Sequence, residues 1–167
     1  SRRTLSMTGI VMPDQRQNLL HLLQEAYALA LDVERALRRL GGLQYASRVP
    51  FVNPMEICVN ETLDQQRLLI ECLRRIDGDG ETVRAINEDL PVGGQHALAN
   101  EPHGDALREM ARVHALTLQE IDVYSECIAT AESSGFFETR STCEAILLRK
   151  SAIAACLSRE NPQTAQT

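Results

Sequence analysis

Residues 77–102 read Asp-Gly-Asp-Gly-Glu-Thr-Val-Arg-Ala-Ile-Asn-Glu-Asp-Leu-Pro-Val-Gly-Gly-Gln-His-Ala-Leu-Ala-Asn-Glu-Pro. This stretch is dense in turn residues and carries two breakers, Asp77-Gly78-Asp79-Gly80 and Pro91-Val92-Gly93-Gly94. At about 26 residues it is unusually long for a connection inside a compact domain. Long helical patterns flank it on both sides, so its length bears directly on topology. Antiparallel neighbours need only a short loop. Helices that end up parallel need a crossover running the length of the bundle.

Before the connection there are two helical patterns. The first starts at Pro13-Asp14, a proline and an acid suited to a first turn. Its apolar residues recur at Leu19, Leu22, Leu23, Ala26, Leu29, Ala30, Val33, Leu37 and Leu40, the three-four spacing of one apolar face. Gly41-Gly42 is expected to end it. After a linker, Asn53-Pro54 opens the second pattern as an N-cap followed by proline. Its seam is Met55, Cys58, Thr62, Gln65, Leu69, Cys72 and Ile76. Beyond the connection, a third pattern runs from about Asp105 to Glu132, with Leu107, Met110, His114, Thr117, Ile121, Tyr124 and Ile128 on its seam. Val113, Leu116, Glu120, Val123 and Cys127 form a parallel row. Ser133-Ser134-Gly135 separates it from a fourth pattern, about Glu138 to Ser158, built on Cys143, Ile146, Leu147, Ile153 and Leu157. The expected architecture is all-α: an antiparallel four-helix bundle with one long crossover between its second and third helices, the ferritin-like connectivity. Residues 13–160 form its single domain, with 1–12 and 161–167 read as flexible ends.

Composition excludes several classes. The chain has 167 residues and a net charge of −6, which gives no general affinity for nucleic acid. No run approaches the roughly 20 apolar residues of a membrane span, and the start has no apolar signal core. Five cysteines, none in a CxxC pair, lie in apolar helical patterns and fit buried thiols in a reducing cytoplasm. No P-loop, dinucleotide fingerprint or Ser-His-Asp arrangement is present. Asp77, Asp79, Glu81 and Glu88 match acidic positions of a calcium loop, but Thr82 stands where its sharp turn needs glycine. Arg35, Arg38, Arg39, Arg74 and Arg75 close the first two helices and complement their dipoles. Asp105, Arg108, Glu109 and Arg112 read as intrahelical pairs on a solvated face.

Four stretches carry a family resemblance: Leu23-Gln24-Glu25-Ala26-Tyr27-Ala28, Asn60-Glu61-Thr62-Leu63-Asp64-Gln65, Glu120-Ile121-Asp122-Val123-Tyr124, and Thr139-Arg140 with Glu144-Ala145-Ile146-Leu147. They resemble the ferritin-like superfamily, in particular the small bacterial stress-associated branch related to rubrerythrins and bacterioferritins. That resemblance implies a stress-associated role and a homodimer. Di-metal members take a carboxylate from each of two helices and a Glu-x-x-His pair from each of the other two. Here no glutamate has a histidine three residues on. Ala30 stands at the first-helix carboxylate position, and Cys58 at the second-helix histidine position with Asn60 near it. Glu61, Glu120 and Glu144 remain as carboxylates, so the di-metal site is expected to be degenerate.

The residual polar layer is Cys58, Glu61, Thr62 and Gln65 on the second helix and His114, Thr117 and Glu120 on the third, with Tyr27 and Tyr124 in reach. Unpaired buried polar groups cost about 1–3 kcal/mol, so these residues need partners. One reading pairs them with each other, fixing helix register in a non-catalytic protein with no cofactor. A second has Glu61, His114, Glu120 and Glu144 hold a single iron or zinc ion in an atypical oxidase or iron-handling protein. A third is a partner-binding helical module of the immunity or adaptor kind.

Overall fold

The computed structural model describes the backbone of residues 2–46, 52–78 and 106–160, and the side chains of 15–42, 56–78, 106–155, 157 and 158. All regular structure among them is helical: α1 (Arg2–Ala46), α2 (Val52–Asp77), α3 (Ala106–Ser134) and α4 (Phe137–Glu160). α1 packs along α2 and α3, α3 packs along α4, and α2 meets α4 more lightly. The four pack as a helical bundle. No helix among the described residues is long and apolar enough to cross a membrane.

Two helix ends follow the expected stop chemistry. Gly78 has φ +68°, and its N–H donates to the Arg74 carbonyl at 2.9 Å, an αL cap on α2. Arg16 Nη2 reaches across from α1 to the Ile76 carbonyl at 2.9 Å, serving another open carbonyl at the same end. Gly135 has φ +83°, and the Phe136 N–H donates to the Ala131 carbonyl at 2.8 Å, the Schellman arrangement ending α3.

α1 departs from its expected bounds. It passes through both Pro13-Asp14 and Gly41-Gly42 and ends at Ala46. Proline suits a first turn because it lacks an N–H, but the residue alone does not say whether a helix also precedes it. Gly41 and Gly42 remain helical, without the positive φ of a C-cap. Each loses roughly 1 kcal/mol relative to alanine there, while Leu40 beside them is buried.

Among the described residues the core has two apolar clusters. The larger joins Leu19, Leu20, Leu22, Leu23 and Tyr27 of α1 with Leu69, Leu73, Val123, Cys127 and Ile146. The smaller joins Val33, Ala36, Leu37 and Val113, with Cys58 and Leu157 packed against it. Along α2, α3 and α4 alike, the residues between the clusters are the polar ones: Thr62 and Gln65, Thr117 and Glu120, and Lys150, all buried. α1 contributes Ala30 at this level, fully buried and with no polar side chain.

Candidate functional site: a buried ion pair in the polar layer

The layer is built around Glu120. Its position on α3, one turn past Thr117 and one before Tyr124, turns it wholly inward, and none of it is exposed. Lys150 of α4 is 3% exposed and brings Nζ to 3.0 Å from Glu120 Oε1. The two side chains form a buried ion pair. On the other side Gln65 Nε2 donates to Glu120 Oε2 at 2.6 Å and to Tyr124 Oη at 2.6 Å. One amide from α2 thus ties together two residues of α3, while α4 supplies the cation. Among the described residues, Gln65 Oε1 is buried without a hydrogen-bond partner.

Burial dominates the electrostatics. It raises the carboxyl pKa of Glu120 above the usual range, against the opposing pull of the Lys150 charge and the Gln65 hydrogen bond. Tyr124 is pushed well above its usual value by burial and then by the Glu120 charge, so the phenol stays protonated. Three thiols lie nearby. Burial and then Cys143 lift Cys72 to about 11. Cys143 is raised by its hydrogen-bond contact with Cys127 and by burial. Thiols buried and held protonated in this way, as Cys72 and Cys143 are, are poor nucleophiles.

Of the four candidate ligands, only Glu120 lies at the centre of the layer. Glu61 is half-buried on α2. His114 is half-buried, with Nε2 3.0 Å from Ser158 Oγ of α4. Glu144 is exposed and pairs with Arg140 at 3.7 Å, because its neighbour Cys143 takes the inward position. Among the described residues, no group of three or more His, Cys, Asp or Glu side chains is arranged to hold a metal ion. Most of the calcium-loop residues, together with His96 and His103, lie outside the described residues.

Lys150 was not among the expected site residues. The available signal was its position: the only lysine in the chain falls on the α4 seam between Ile146 and Ile153. Glu109 also differs from expectation. It is buried against Arg39 of α1 at 4.0 Å and does not lie on a solvated face. Arg74 and Arg75 lie in the last turn of α2 as expected, but Arg35, Arg38 and Arg39 do not close α1, which runs on to Ala46. Arg38 pairs with Glu34 at 2.8 Å, Arg35 with Asp32 at 3.4 Å, and Arg75 with Glu138 of α4 at 3.0 Å.

No curated protein and no solved structure matches the chain. A family match does, under the description Domain of unknown function (DUF892), over residues 14–167. It takes in the whole polar layer and nearly all of the sequence, and the chain therefore belongs to the DUF892 family.

Proposed function

We propose that this chain is a ferritin-like, antiparallel bundle whose interior positive charge is its own Lys150 ammonium, and that it acts without catalysis through its surface. The observation that carries the reading is the 3.0 Å Lys150–Glu120 pair. A buried carboxylate needs a compensating cation. Here a side chain supplies it at the level where Glu120, Ala30 and Gln65 converge. Ala30 is the residue aligned with the family's first-helix carboxylate, and it offers no ligand atom.

The topology supports the same reading. In each packed pair, residues early in one helix meet residues late in the next. Arg16 pairs with Asp77 at 3.9 Å, Arg39 with Glu109 at 4.0 Å, and Arg140 with Glu132 at 3.6 Å. α2 and α3 are joined by the long connection without being a main packed pair. That is the relation expected of parallel helices linked by a crossover. On this reading the polar layer fixes register. The protonated thiols suit a reducing cytoplasm, and stress-associated action as a homodimer or with a protein partner follows from the ferritin-like resemblance.

The test is ferrous oxidation under air. The wild-type chain is predicted to leave the rate at the buffer value. A rate that grows with protein concentration and is lost in Glu120→Gln would overturn the proposal in favour of an atypical oxidase using Glu120 with Glu61, His114 or Glu144.

A further inference from the structure

A cavity of about 20 Å³ lies beside the ion pair, reached by residues of all four helices. On the same measure a single water needs roughly 10–15 Å³. Most of the wall is aliphatic, including Val33, Val113 and Ile153, but Lys150, Thr62 and Thr117 also line it. Both threonines are 1% exposed and Lys150 is 3% exposed, so these polar groups are otherwise withdrawn from solvent.

The chemistry of these groups is complementary. An ammonium has three donors, and the geometry directs Lys150's charge at Glu120 on one side. Thr117 Oγ1 spends its proton on the Val113 carbonyl at 2.7 Å, which leaves its lone pairs as acceptors. A molecule about the size of water that accepts from Nζ and donates to a threonine hydroxyl is complementary to these lining residues. A buried water commonly makes two to four hydrogen bonds, and this wall offers three polar groups.

We propose that this cavity is a structural hydration site in which one water bridges Lys150 Nζ to the hydroxyls of Thr117 and Thr62. The water completes the solvation of the buried ammonium. The inference rests on the reading of Lys150 as the resident cation.

The test is a high-resolution crystal structure of the full chain, with a second data set under xenon pressure. The predicted result is density in the cavity about 2.7–3.2 Å from Lys150 Nζ and from a threonine hydroxyl, with no xenon there. Xenon in the cavity, or no density in the native crystal, would overturn the hydration site, since dry apolar cavities take up xenon. The isosteric Thr117→Val variant is predicted to lose that density. Unchanged density would equally overturn the bridge. A metal ion displacing Nζ would instead defeat the functional proposal, so the two failures are distinguishable.

Discussion

Replacing Lys150 by methionine keeps most of the side-chain volume and removes the charge. Glu120 would then be a buried carboxylate with Gln65 as its remaining polar support. Breaking a buried pair on one side costs about 3–5 kcal/mol. At roughly 2–4 °C per kcal/mol for a domain of this size, Lys150→Met should lower Tm by about 6–20 °C. Glu120→Gln strands the ammonium and should cost a similar amount. The double variant strands neither charge and should lie near wild type, because apolar or neutral replacement of a buried pair is often neutral or stabilising. The pH dependence has a definite sign. Glu120's folded pKa is raised, so the folded state binds this proton more tightly than the unfolded state, and the penalty acts at neutral pH. Losing the Lys150 charge raises that pKa further. The Lys150→Met deficit should therefore shrink as pH falls from neutral towards the unfolded value near 4.5. Urea unfolding of the four proteins at neutral and mildly acidic pH measures this directly. Additivity of the two single substitutions to within about 0.5 kcal/mol would refute the coupling.

Further outcomes follow from other parts of the structure. Gly41→Ala should stabilise by about 0.5–1 kcal/mol, since a Cβ there meets nothing within 4 Å and the backbone is helical. Gly78→Ala, at φ +68°, should instead destabilise by about 1–2 kcal/mol; thermal melts that rank the two the other way would contradict this assignment. Tyr124→Phe should cost about 0.5–1.5 kcal/mol by removing one acceptor of Gln65, and Gln65→Leu should cost more by unlinking Glu120 as well; equal costs in urea titrations would speak against a shared amide. Cys72, Cys127 and Cys143 should resist iodoacetamide at mildly alkaline pH and react once urea unfolds the chain, as residue-resolved mass spectrometry would report.

Much of this architecture is legible in the residues. The three-four spacing around Leu19–Leu40 and Leu69–Ile76 marks inward faces, and the structure buries them. The polar seam positions Thr62, Gln65, Thr117 and Glu120 are likewise recognisable, because spacing reports which side chains turn inward whatever their chemistry. Spacing is less informative at neighbouring positions. Glu144 follows the inward Cys143, and the roughly 100° step per residue carries it to the surface. His114 follows the buried Val113 and is left half-exposed at the margin. Lys150 is obscured for a different reason. Lysine is almost never fully buried unless paired, and its partner is thirty positions away on another helix. Gly41-Gly42 misleads because a glycine pair within a helix and a glycine pair ending one look alike until φ is known.

The central claim is that the charge opposite Glu120 belongs to Lys150 and not to a metal ion. Elemental analysis of the chain, purified without chelator and without a metal-affinity column, tests it most directly. The account predicts no stoichiometric iron, zinc or manganese in folded wild-type protein. A full equivalent of any of these metals per chain, lost on Glu120→Gln substitution while the fold persists, would contradict it.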